Sequence, residues 1–272
     1  MSSSKVVVLT GASSGIGAVL AKQLGAQGHR LALAARREKE LEEVAAECGP
    51  EALAVVTDVR HRSEVERLRD RALAAFGQVD VWINNAGRGI GKPTLELTDE
   101  DFDEMMAVNV KSALYGMQAI VPHFQSRGAG HLVNVSSFLG RVPLASFRSV
   151  YSASKAALNS LTANLRMDLR REYPGIYVSL VLPGIVLTEF ARNALGGTPA
   201  GPPPTGPMQP QSAEEVAAAI VSLLEHPVPE IYTNPASAEI ARRYYSDVGA
   251  FEAGFGQGLR NPAEENKEAK NA

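Results

Sequence analysis

Tyr151 and Lys155 stand four positions apart at the start of a helical pattern, so their side chains share one face and can converge. Together they can do acid–base chemistry. A phenol titrates near pH 10 in water, and bringing it to neutrality takes about 4 kcal/mol. An ammonium about 4 Å away, at an effective dielectric of about 20, supplies roughly that amount. On magnitude, Lys155 suffices to make Tyr151 a proton donor and acceptor near neutral pH.

A second chemical signal lies near the N-terminus, where Thr10-Gly11-Ala12-Ser13-Ser14-Gly15-Ile16-Gly17 follows an apolar run and leads directly into a helical pattern. A strand, glycine turn and helix in that order present bare backbone N–H groups and the positive end of a helix to an anion, above all a pyrophosphate. Gly11 then permits the tight turn, Gly15 admits the phosphates and Gly17 packs the helix on the sheet. In such a site the end of the second strand lies beside the adenine ribose. A carboxylate there suits NAD(H), whereas this chain has Ala35 followed by Arg36 and Arg37, whose planar charged forks match a 2′-phosphate. NADP(H) is therefore expected over NAD(H), chiefly through Arg36; the alternative is a solvated pair opening the charged run Glu38-Lys39-Glu40.

These residues need a frame, and the alternation of short β-branched runs with longer amphipathic stretches supplies one. Residues 5–10, 30–35, 52–58, 79–84, 131–136 and 176–182 read as strands, with a further short one at 230–233. Runs such as Val6-Val7-Val8-Leu9 are apolar at every position, as strands buried on both faces must be. The expected fold class is α/β, a doubly wound parallel sheet of Rossmann type with helices on both faces. Ser63 and Thr98 are the expected helix N-caps, and Gly28 and Gly77 the expected helix ends. One domain over 1–250 accounts for the pattern, with a Pro/Gly-rich loop at 196–210 and a Gly-rich, then charged, flexible tail at 251–272.

Composition narrows the functions. The chain has 272 residues, 45% hydrophobic and 21% charged, with a formal net charge of -3, so no basic field is available for nucleic acid. No apolar run reaches membrane-span length, and a cytoplasmic protein is expected. The single cysteine, Cys48, reads as an inert half-buried thiol. No His, Cys or Asp cluster has metal-ligand spacing, so no metal site is expected; His29, His123 and His226 read as surface or packing residues.

The glycine spacing Gly-x-x-x-Gly-x-Gly differs from the common Gly-x-Gly-x-x-Gly fingerprint. Together with Asp58-Val59, Asn84-Asn85-Ala86-Gly87, Asn109, Ser137, the YSASK run at 151–155 and the PGIVLT run at 183–188, in that order, it resembles the short-chain dehydrogenase/reductase family over almost the whole chain. The resemblance implies dinucleotide contacts from Gly11, Ser13, Ser14, Gly15, Ile16 and Gly17, an adenine contact at Asp58 and Val59, and a backbone wall at Asn85, Ala86 and Gly87. Asn84 is better read as structural. It implies that Pro183, Gly184, Ile185 and Thr188 touch the nicotinamide, with Thr188 holding its carboxamide, and that Tyr151 and Lys155 lie against the cofactor, Lys155 on the ribose.

It further implies a catalytic set of Asn109, Ser137, Tyr151 and Lys155, in which Ser137 orients the substrate oxygen and Asn109 anchors a water that links Lys155 to solvent. Ser136 is the alternate serine, and the gap to Tyr151 is long enough to imply an extended loop at 143–149. The implied activity is NADPH-dependent reduction of a ketone or aldehyde, or its reverse; a non-catalytic NADP-binding sensor and an NAD-linked alcohol dehydrogenase are the alternatives. Phe138, Leu139, Leu144, Phe147, Phe190 and Leu195 suggest an apolar substrate pocket. A homodimer or homotetramer is the assembly the resemblance implies.

Overall fold

A computed structural model describes residues 4–190, 193–196 and 208–255. Its strands are β1 Val6–Thr10, β2 Arg30–Ala35, β3 Ala52–Val56, β4 Val81–Asn84, β5 Gly130–Val135, β6 Ile176–Leu182 and β7 Glu230–Tyr232. All neighbours pair in parallel, in the order β3-β2-β1-β4-β5-β6-β7. The helices between them are α1 Gly15–Ala26, α2 Glu38–Cys48, α3 Arg62–Phe76, α4 Asp99–Met106, α5 Ser112–Arg127, α6 Ser149–Arg170 and α7 Ala213–Glu225, followed by α8 Ser237–Ser246 and α9 Val248–Phe255.

Strand alternation divides the core. Val7 and Leu9 of β1 face one way and pack with Leu20 and Leu24 of α1, Leu41 and Val44 of α2, and Ile220 of α7. Val6 and Val8 face the other way and pack with Leu68 of α3, Ile120 and Phe124 of α5, and Leu158 of α6. Both faces are covered, which is why β1 carries no polar residue before Thr10. The order reverses at β1, whose neighbours are β2 and β4, and this opens a crevice at the carboxyl ends of the strands.

A chain of buried amides ties the layers together. Trp82 Nε1 donates to Asn84 Oδ1 at 2.8 Å, Asn84 Nδ2 to Asn134 Oδ1 at 2.9 Å, and Asn134 Nδ2 to Thr162 Oγ1 at 2.9 Å. Asn84 is thus structural, as expected. Thr98 caps α4 in a reciprocal box with Asp101. Ser63 is not a cap: α3 begins one residue earlier, at Arg62, with His61 in the cap position, and the Glu64 carboxylate instead accepts from the Asp58 backbone N–H at 2.7 Å.

At the C-terminal end the chain stays helical through Phe255, beyond the expected start of the tail. Phe251 is the reason, being buried edge-on to Tyr244 in a cluster with Phe138, Val142 and Ile240. Residues 256–272 of the expected tail, and 197–207 of the expected loop, lie outside the described residues. Among the described residues no helix is long and apolar enough to cross a membrane.

Candidate active site

The glycine turn leaves β1 with Gly11 at φ +70° and Gly15 at φ +55°, conformations that L side chains rarely adopt. A Cβ on Gly11 would fall 2.8 Å from the Ala86 Cα, and one on Gly17 would lie 2.6 Å from the Asn85 amide nitrogen. Those two glycines are therefore filled by protein. Gly15 is different, since a Cβ there would meet only the Thr188 side chain, at 3.6 Å. The opening between Gly15 and Thr188, at the N-terminus of α1, is where an anion can approach the backbone.

Asn85 and Ala86 are bound to the same turn. Their backbone N–H groups donate to Thr10 Oγ1 at 3.0 and 3.1 Å, and Asn85 Nδ2 donates to the Thr10 and Gly11 carbonyls at 3.0 and 3.2 Å. Gly87 follows in the exposed crevice, and a Cβ there would lie 3.2 Å from Asn109 Oδ1 and 3.5 Å from Lys155 Nζ. Ser13 and Ser14 are half-buried, while Ile16 packs on the core.

Beyond β2, Arg36 and Arg37 are exposed. Arg37 reaches back to the glycine turn, donating to Ser13 Oγ at 3.2 Å, and pairs with Glu40 at 3.4 Å. Arg36 lies close enough to Asp58 for its charge to help hold that carboxyl below its usual range, although hydrogen bonds from Arg60 are the larger cause. Arg60 grips Asp58 at 2.6 Å and also pairs with Glu104, which pairs with Arg88. Val59 turns its side chain into the core.

At the end of β5 the two serines diverge. Ser136 points inward, donating to the Lys155 carbonyl at 3.3 Å and bonding Asn159 Oδ1 at 2.5 Å. Ser137 shares a hydrogen bond with the Tyr151 hydroxyl and accepts from the Leu139 N–H at 3.2 Å. Gly140 lets this turn press on α6, for a Cβ there would lie 2.6 Å from the Lys155 carbonyl carbon.

Tyr151 is 7% exposed and Lys155 3%. Burial raises the phenol above its ordinary value, opposed by the Ser137 hydrogen bond and the positive charge of Arg148. Lys155 Nζ donates to the Val135 carbonyl at 3.0 Å and lies 5.8 Å from the Tyr151 ring centre. Burial brings its ammonium down to about 8. Lys155 thus faces the phenol ring, as the four-residue spacing suggests, and the charge of Arg148, one helical turn before Tyr151 and not singled out in the sequence, also favours the ionised phenol.

Asn109 lies in a π-helical turn, Ala107–Lys111, between α4 and α5. Its Oδ1 accepts from the Arg88 N–H at 2.9 Å, and its Nδ2 donates to the Arg88 carbonyl at 3.0 Å and to Ser154 Oγ at 3.1 Å. It clamps the chain beyond Gly87 to α6.

The segment after β6 closes the cleft. Pro183 accepts from the Phe138 N–H, Gly184 lies near Asn234 and Met208, Ile185 is exposed, and Thr188 faces Gly15. Phe190 sets its ring edge-on to Tyr151 at 5.7 Å, and Leu195 pairs with Ile90. Of the residues expected to line an apolar pocket, Leu139 and Leu195 pack beside Tyr151 and Phe190 covers it. Phe138 does not line it: it is fully buried under α8, with Leu144 packed on the same cluster, because those helices need an apolar partner.

Cys48 is buried and its thiol pushed up to about 11 by desolvation, consistent with an inert role. Among the described residues no group of three or more His, Cys, Asp or Glu could hold a metal ion.

A sequence model of the short chain dehydrogenase family matches residues 5–196. An uncharacterised oxidoreductase of Staphylococcus epidermidis is 33% identical over 223 residues, which are 82% of this chain and 92% of the relative. Among solved structures, a short-chain dehydrogenase/reductase from Burkholderia phymatum in complex with NAD has a TM-score of 0.81 at 29% identity, covering 91% of this chain and 95% of that one. A short-chain dehydrogenase from Burkholderia cenocepacia in complex with NADP has a TM-score of 0.77 at 31% identity, with 93% and 97% covered. With a family match over most of its length, a parallel seven-stranded sheet and relatives named as oxidoreductases, this chain belongs to the short-chain dehydrogenase/reductase family.

Proposed function

We propose that the chain is an NADP(H)-dependent oxidoreductase that interconverts a ketone or aldehyde and its alcohol. The observation that carries the reading is the hydroxyl pair of Ser137 and Tyr151 at the carboxyl ends of the strands, with Lys155 one helical turn further on. The residues present fit a nicotinamide dinucleotide: the opening between Gly15 and Thr188 admits a diphosphate, and the space bounded by Gly87, Asn109 and Lys155 admits a ribose. When bound, the nicotinamide supplies or accepts the hydride.

Arg36, exposed beside Asp58 at the end of β2, is the residue to hold a 2′-phosphate, with Arg37 fixing the turn it faces. Ser13, Ser14, Ile16 and the N–H groups of the turn hold the diphosphate, Asp58, Val59, Asn85 and Ala86 flank the adenosine, and Ile185 and Thr188 flank the nicotinamide. Ser137 orients the substrate oxygen; Tyr151 gives it a proton in reduction and takes that proton back in oxidation. Lys155 leaves the Val135 carbonyl to hold the ribose hydroxyls and returns protons to the phenol. Asn109 keeps Gly87 and α6 at the spacing this requires.

Tyr151→Phe removes the proton donor and keeps the ring. Carbonyl-dependent NADPH consumption should disappear while NADPH binding, read by nicotinamide fluorescence, persists; retained turnover rejects the reading.

A further inference from the structure

Asn159 holds both flanks of the turn that carries Ser137. It stands on α6 two helical turns beyond Tyr151 and one beyond Lys155, on the same stripe of the helix, and is buried. Its Oδ1 accepts from Ser136 Oγ at 2.5 Å, and its Nδ2 donates to the Gly140 carbonyl at 2.9 Å. Ser137 lies between those two points, next to the first and a single 3-10 turn before the second. The bonds Ser137 makes within the turn are local: its Oγ accepts from the Leu139 N–H at 3.2 Å and its carbonyl from the Gly140 N–H at 3.0 Å. They set the shape of the turn but not its place on α6.

The other ties of this turn do not set that place either. The Phe138 N–H donates to the Pro183 carbonyl, which holds the turn to the end of β6. A Cβ on Gly140 would lie 2.6 Å from the Lys155 carbonyl carbon and 2.9 Å from the Ala156 nitrogen, so the turn rests on helix backbone with no side chain at 140 to key into it. That contact sets a distance. A carboxamide sets a register, because it offers a donor and an acceptor in one plane and each is matched to one flank of the turn. A buried residue that served packing alone would be apolar, as the neighbouring Leu158 is, since a buried amide is costly unless its polar ends are paired.

We propose that Asn159 is a positioning residue that acts on the reaction through Ser137, fixing the Ser136–Gly140 turn in register with the helix that carries Tyr151. The proposal rests on the reading of Tyr151 as the proton donor and Ser137 as the group that orients the substrate oxygen. Asn159 lies about 12 Å along the helix axis from Tyr151 and commits its amide to Ser136 and Gly140, so its effect on the phenol passes through the turn.

The test follows the Tyr151 phenol by NMR in protein labelled with carbon-13 at tyrosine Cζ, with Tyr151→Phe assigning the resonance. Ser137→Ala should raise the Tyr151 titration midpoint by about one pH unit, the value of one hydrogen bond to a charged group. Asn159→Leu, which keeps the volume and removes both polar ends, should raise it by roughly half as much or more. Added to Ser137→Ala, it should raise the midpoint no further. No variant alters Arg148 or Lys155, whose charges also bear on the phenol. Asn159→Leu should also lower kcat for carbonyl reduction about tenfold with NADPH binding unchanged, and that loss should vanish in the Ser137→Ala background. Asn159→Ala serves the same comparisons if the leucine variant does not fold. A parent-like midpoint in a folded Asn159 variant, or shifts that add in the double variant, overturns the proposal, even where thermal stability falls. The midpoint needs no turnover, so it is separate from failure of the enzymatic reading, which retained activity in Tyr151→Phe reveals.

Discussion

Lys155 Nζ donates to the carbonyl of Val135, tying the second turn of α6 to the end of β5 across 3.0 Å. One carbonyl is a poor substitute for the water an ammonium gives up, and burial brings the group from 10.5 down to about 8.

That cost has a pH signature. Between about 8 and 10.5 the unfolded chain still binds the Lys155 proton while the native state has released it, so this residue makes stability rise with pH across that window. Below about 8 both states are protonated and the full penalty is present. Lys155→Met should therefore stabilise the dinucleotide-free protein by about 1 kcal/mol at pH 7 and by less at pH 10. Denaturant unfolding at the two pH values checks this, and the same variant should have lost turnover.

Arg36 and Arg37 should separate in function. Arg37 is committed to Ser13 and Glu40, whereas Arg36 is exposed beside the Asp58 carboxylate. Arg36→Ser should weaken NADPH binding about tenfold, the value of one charge-assisted hydrogen-bond pair, and leave NADH binding unchanged. Fluorescence titration with both nucleotides reads the difference; equal losses would place the 2′-phosphate elsewhere.

Gly116 on α5 faces the buried amide chain of β4. A Cβ there would lie 2.6 Å from Trp82 Nε1 and closer still to Asn84 Oδ1. Gly116→Ala should cost about 3 kcal/mol, by overpacking and by breaking the Trp82–Asn84 bond. Combined with Asn84→Ala the cost should be less than the sum of the two single changes, because both act on that bond. Thermal unfolding of the two single variants and the double variant is the measurement.

Much of this was legible along the chain because it is local. Strand boundaries matched within a few residues, since apolar runs buried on both faces have few alternatives. The Thr98 cap was legible for the same reason, whereas Ser63 was not a cap because His61 stands at the helix start and Asp58 engages Glu64. Ser137 was preferred to Ser136 on the family resemblance alone; the structure sets the two on opposite faces, Ser136 meeting Asn159 in the interior and Ser137 lying toward Tyr151.

The amino-acid order by itself determined the doubly wound alternation, the glycine turn and the Tyr151–Lys155 spacing, because each depends on neighbours within a turn or two. The packing of Arg148 under Phe190, which covers Tyr151, was decided only in three dimensions. Arg148 meets Ile90 across 58 positions of chain, and it does so because Gly89 leaves room for it beside Phe190, which lies a further 42 positions along. Close approach of segments so far apart depends on how the layers pack, and residue spacing along the chain carries no record of it.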